Sequence, residues 1–105
     1  MKIITVCGSL KFEEAIKIHT EKLALEGNCV LSIIYPNKDK DSYTNDEIQI
    51  LKNEHYKKIE LSDAIFVVNK NGYIGEDVRK EIEYAKERKK EILYLETLAG
   101  NDDIT

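Results

Sequence analysis

"AIFVVNKNGYIGEDVRKEIEYA", residues 64–85, carries the pattern that decides the fold. Its opening, AIFVVN, is a short apolar run rich in β-branched side chains, which predicts a strand over 64–69. A glycine-bearing loop follows, and then a charged segment predicted to be helical from about Glu76 to Lys90. At about 100° per residue, Ile82 and Ala85 fall within roughly 40° of Val78, so these three form a buried stripe. Arg79, Glu83, Glu76 and Lys80 point to the solvent side. Glu81 lies only about 60° from Val78, at the border of the apolar face, and is the carboxylate of this helix best placed for partial desolvation.

The strand-then-helix unit repeats outward from this stretch. "KIITVC" reads as a first strand ending at Gly8, and Ser9 as the N-cap of a helix with Phe12, Ile16, His19 and Leu23 on one stripe. "EGN" stops that helix at Gly27. "CVLSII", residues 29–34, is a second strand, and "YPNKDKDSY" a polar connector. Thr44 and Glu47 have capping-box spacing ahead of a helix carrying Ile48, Leu51, His55 and Ile59 on one face. "EILYLE" is a fourth strand, and 96–105 reads as a weakly ordered tail. Strands alternating with helices predict one doubly wound α/β domain, residues 1–105. Its sheet has four parallel strands in the order 2-1-3-4, with helices on both faces.

Composition narrows the function classes. The chain has 105 residues, 42% hydrophobic and 34% charged, with a net charge of −4. That balance fits a globular domain, and its lysines are interleaved with glutamates, so no nucleic-acid footprint is expected. No apolar run approaches a membrane span, and "IITVCG" is too short for a signal peptide, so a cytoplasmic protein is expected. Cys7 and Cys29 lie in apolar runs and read as reduced core thiols. With no CxxC spacing or adjacent ligand cluster, no metal is expected.

In a doubly wound sheet, ligands bind beyond the carboxyl ends of the strands, where the strand order reverses. Gly8-Ser9 and Gly75-Glu76 each open a helix there, and free N–H groups at two helix N-termini suit a phosphate or a sugar hydroxyl. Neither GxGxxG nor GxxxxGK[ST] is present, which disfavours dinucleotide binding and P-loop chemistry. A partly desolvated Glu81 near that crevice suits a base or a nucleophile.

"CGSLKF", "LALEGNCVLS", "HYKKIELSDAIFVVN", "GYIGEDVRKEIEYA" and "KKEILYLE" together resemble the nucleoside 2-deoxyribosyltransferase-like family over residues 2–95, and most closely a compact bacterial and phage branch of it. That family's helix motif is E-x-G-x-A, with the Glu as nucleophile. Here it reads Glu81-Ile82-Glu83-Tyr84-Ala85, with Glu83 replacing the family glycine. The resemblance puts the family's sugar-holding aspartate on His55, and its phosphate-gripping turns on Gly8, Ser9 and Gly75. Asn69, at the end of the third strand, is expected to point into the same crevice and bond a sugar or base, and Tyr73 to stack on a ring. His19 has no such counterpart and reads as core. The implied activity is N-glycosidic cleavage or deoxyribosyl transfer on a small nucleoside or nucleotide, by double displacement and without a cofactor. His55 or Asp77 would protonate the leaving base. A homodimer is expected, since enzymes of that family complete their sites across a subunit interface.

The rival reading is a sensor of the same fold that holds a nucleotide-like ligand without turning it over. The departures at Glu83 and His55 favour it. A phospho-receiver domain is excluded, because "VCGS" after the first strand lacks paired acids, and flavin binding lacks its serine- and threonine-rich loop.

Overall fold

A computed structural model describes residues 1–98. The elements run β1 (Ile3–Gly8), α1 (Glu13–Leu25), β2 (Cys29–Leu31), α2 (Asn45–Leu61), β3 (Ala64–Val68), α3 (Glu76–Glu87) and β4 (Glu91–Tyr94). All strands are parallel, as expected from the alternation of strands and helices, and they stand in the expected order β2-β1-β3-β4. Register pairs Thr5 with Leu31 on one side and with Ile65 on the other, and Ile65 with Ile92.

Side chains alternate across this sheet, because successive residues of a strand face opposite ways. Ile4, Val6, Ala64 and Val68 pack with Ile16 and Leu23 of α1. Cys7, Ile65 and Val67 pack on the other face with Ile59 of α2 and with Val78, Ile82 and Ala85 of α3. The stripe inferred for α3 is thus the buried one. His19 is half-buried and stacks on Phe66 at 5.7 Å between ring centroids. The capping box at the start of α2 is formed in full. Glu47 N–H donates to Thr44 Oγ1 (3.1 Å), and Thr44 N–H donates to Glu47 Oε1 (2.9 Å).

Four local expectations are corrected. Ser9 does not cap α1: its hydroxyl accepts from Lys11 N–H at 3.3 Å and caps a 3-10 turn, Leu10–Phe12, which leads into α1 at Glu13. The second strand stops at Leu31 rather than Ile34, and the carbonyl of Ser32 accepts from Lys58 Nζ (2.7 Å). The third helix ends at Glu87 rather than Lys90. Lys89 takes a left-handed conformation (φ 59°), and the N–H groups of Lys89 and Lys90 bond back to Lys86 and Ala85. That is the glycine-type helix stop built with a lysine, so the sequence carried no punctuation for it. Cys29 is exposed on the edge strand rather than buried with Cys7.

The start of the expected tail is tied down: Glu96 bonds Asn69 and Asn71. Residues 99–105 lie outside the described residues. Among the described residues, no helix is long and apolar enough to cross a membrane.

Candidate functional site

β1 ends at Gly8, where little room is available for a side chain. A Cβ at Gly8 would meet Val68 Cβ at 3.1 Å and Ile16 Cδ1 at 3.3 Å. Beside this end of β1 opens a cavity of about 380 Å³. That volume lies in the range of small-molecule sites. Gly8 and Leu10 line it from β1 and the turn that follows. Ile33, Ile34, Pro36, Lys40 and Tyr43 close it from the β2–α2 connector, and Ile48, Leu51, Lys52, Glu54 and His55 from α2. Glu81 is the one lining residue contributed by α3. The cavity thus lies at the carboxyl end of β1, where the strand order reverses between β1 and β3. The amino-terminal part of the apolar face of α2, Ile48 and Leu51, lines this cavity, while Ile59 further along enters the core.

Glu81 and His55 meet within the cavity wall. His55 Nε2 lies 3.5 Å from Glu81 Oε1, and their side chains are only 11% and 18% exposed. Cys7 completes the group from below, its Sγ 3.5 Å from the same His55 Nε2. Burial pushes the Cys7 thiol well above its usual range, and the neighbouring Glu81 carboxylate pushes the same way by charge and by hydrogen bonding. The chemistry available is a shielded carboxylate beside an imidazole and over a protonated thiol, facing a mostly apolar hollow. Lys40 and Lys52 also line this hollow and bring positive charge to it.

The other expected site residues lie elsewhere. Asn69 is 1% exposed and does not line the cavity. Its Nδ2 donates to the Glu96 carbonyl (3.0 Å), and its Oδ1 accepts from Glu96 N–H (2.8 Å), so both ends of the amide are spent on holding the chain after β4. Asn69→Ala is expected to cost about 1–3 kcal/mol, the usual result of orphaning buried polar groups, and to leave ligand affinity unchanged. Urea denaturation and a ligand titration read the two effects separately.

Tyr73 is also outside the cavity lining. Its ring lies edge-on to Phe12 (5.8 Å) and under Lys11 Nζ (3.3 Å). Gly75 is the N-cap of α3 with an ordinary φ of −78°, and its lack of a side chain makes room for Tyr73, whose hydroxyl would sit 3.1 Å from a Cβ. Ser9 serves its 3-10 turn. Of the seven residues singled out in the sequence, then, Gly8, His55 and Glu81 come together at the cavity. Glu83 is solvent-facing and paired with Arg79.

Sequence reasoning missed Cys7 as a site residue. The available signal was its place as the last side chain before Gly8, at the carboxyl end of a central strand and on the face that α2 and α3 cover. The connector residues Lys40 and Tyr43 carried no periodicity that could have marked them.

No protein-family model matches the chain. It is similar to a curated protein, "Cytidylate kinase 1" of Borreliella afzelii (strain PKo), with 26% identity over 96 residues. The match covers 90% of this chain and 43% of that protein, so the chain spans less than half the length of the relative it matches.

Proposed function

We propose that this protein cleaves the N-glycosidic bond of a deoxynucleoside or deoxynucleotide, or transfers its deoxyribosyl group, with Glu81 as nucleophile. The reading takes the chain as a relative of the nucleoside 2-deoxyribosyltransferase-like family. One observation carries it: the two side chains matched to that family's nucleophile and sugar-holding positions, Glu81 and His55, lie 3.5 Å apart in the wall of one ligand-sized cavity.

In the proposed reaction a Glu81 carboxylate oxygen attacks the anomeric carbon and forms a glycosyl ester. The bond to the base breaks, its electron pair stays on the base nitrogen, and a proton is added there. Water then hydrolyses the ester, or a second base takes the sugar. The sugar carries developing positive charge at the transition state, so a carboxylate shielded from water stabilises it directly. Of the two acids considered for the leaving base, His55 lines the cavity, whereas Asp77 is mostly exposed and pairs loosely with Lys52 at 3.9 Å. Lys40 and Lys52 suit a phosphate on the substrate. The name of the similar cytidylate kinase supports a nucleotide as the ligand class; phosphoryl transfer is not part of the proposal, since the chain has no GxxxxGK[ST] sequence. A homodimer belongs to the same reading, because a second copy would deepen an open cavity, and light scattering at high micromolar concentration is expected to report twice the chain mass.

The second reading, a nucleotide sensor, is favoured by Glu83, which stands where the family has glycine and is engaged with Arg79. Incubation with a panel of deoxynucleosides and deoxynucleotides, analysed by chromatography for free base, separates the two. Base release supports the enzyme. A ligand that raises the melting temperature without releasing base supports the sensor.

A further inference from the structure

Cys7, His55 and Glu81 come from three different elements, β1, α2 and α3, yet a sulfur, an imidazole nitrogen and a carboxylate oxygen all lie within 4.8 Å of one another. We propose that this trio is a transition-metal site of the kind zinc fills, with Cys7 Sγ, His55 Nε2 and a Glu81 oxygen as ligands and a fourth position open to the cavity.

The distances leave room for a shared ion between these side chains. An N–H···O bond spans about 2.7–3.2 Å, so 3.5 Å between His55 Nε2 and Glu81 Oε1 is long for one. Around a tetrahedral zinc, with Zn–S of about 2.3 Å and Zn–N and Zn–O of about 2.0–2.2 Å, sulfur and nitrogen ligands stand roughly 3.5 Å apart and nitrogen and oxygen roughly 3.4 Å. The observed separations are 3.5 Å and 3.5 Å. The third pair, Cys7 Sγ and the Glu81 oxygen, lies within 4.8 Å, against roughly 3.6 Å around a tetrahedral zinc, so ligation asks these two side chains to close by up to about 1 Å.

Charge argues the same way. A buried thiol beside a shielded carboxylate is two potential anions, and among the described residues the cation-forming partner at ion-pair distance from Glu81 is His55 itself. A divalent ion between them neutralises both: the thiol gives up its proton to solvent as the Cys7–metal bond forms. Thiolate with imidazole selects zinc-like ions over magnesium or calcium, and three protein ligands with one open position is the arrangement of reactive rather than purely structural zinc sites.

This inference does not rest on the proposed glycosidase. The two draw on the same carboxylate, so an ion on Glu81 withdraws the negative charge needed for attack, and zinc is expected to suppress base release.

The test uses full-length, tag-free protein stripped with a chelator and titrated with Co²⁺. The expected result is one equivalent bound, with a near-ultraviolet sulfur-to-cobalt charge-transfer band that Zn²⁺ displaces. Cys29→Ser should keep the band and Cys7→Ser should lose it. His55→Gln, a second variant in case Cys7→Ser does not fold, should weaken zinc binding by more than the roughly 10–100-fold that loss of an outer-shell partner costs. Absence of stoichiometric binding, a cobalt spectrum without the thiolate band, or undiminished binding by a folded Cys7→Ser or His55→Gln protein would overturn the site. The readout needs no substrate, and base release is assayed separately in chelator, so each claim can fail without the other.

Discussion

Glu81→Gln is expected to lower base release by roughly 10³-fold or more, the scale of losing a covalent nucleophile. The amide keeps the size of the side chain but has no lone pair able to form the glycosyl ester, and it no longer offers negative charge beneath the cationic sugar. Glu83→Gln, two residues away, is the matched control. Its side chain is 57% exposed and, among the described residues, pairs with the surface group of Arg79, so activity should stay within about twofold of the parent and stability within about 0.5 kcal/mol. The contrast isolates the position of the carboxylate on α3: both variants remove one negative charge from the same helix, and one of those charges faces the cavity. Steady-state rates on the substrate found in the panel, with circular dichroism to confirm folding, measure it.

Ile59→Ala is expected to give the largest loss of stability, about 2–5 kcal/mol. Ile59 is fully buried where α2 meets the sheet, in one cluster with Cys7, Ile65, Val67 and the α3 residues Val78, Ile82 and Ala85. Truncation removes apolar contact and leaves a hole that two helices and a sheet cannot close together. For a domain of this size the loss lowers the melting temperature by roughly 10 °C or more. Leu61→Ala, at an exposed position on the same helix, should shift it little. The site depends on this packing, because Ile59 lies one turn beyond His55 and holds α2 against β1. Thermal melts of the two variants decide it.

The fold was legible because each strand and helix announces itself by its own local period. Val78, Ile82 and Ala85 recur at helical spacing, and β3 is an unbroken apolar run. Boundaries were less legible where an unusual residue does the work of a standard one: Lys89 adopts the left-handed stop that glycine usually supplies, and Ser32 gives its carbonyl to Lys58 instead of to a longer β2. At the site, helix geometry puts Glu81 at the edge of the buried stripe and the family resemblance adds the reason to single it out, while His55, which by its face alone reads as core beside Ile59, was singled out through the resemblance. Asn69 misled for a physical reason: a polar residue at the carboxyl end of a central strand faces either a ligand or the next stretch of chain, and only the fold shows Glu96 waiting there. Cys7 was hidden by its own apolarity, since a thiol at the end of a β-rich run reads as core until α2 and α3 bring an imidazole and a carboxylate to it.

The central claim is that Glu81 attacks the sugar, and covalent trapping tests it most directly. Nucleoside and nucleoside monophosphate analogues with fluorine at the 2′ carbon are incubated with the chelator-treated protein, and intact and peptide masses are measured. Fluorine withdraws electrons from a sugar whose transition states are oxocarbenium-like, which slows hydrolysis of the glycosyl ester and lets it accumulate. The predicted result is one fluorinated sugar per chain, attached at Glu81, with an equal amount of free base. Base release with the label on another residue, or neither label nor free base from any analogue or natural deoxynucleotide tried, would contradict the account.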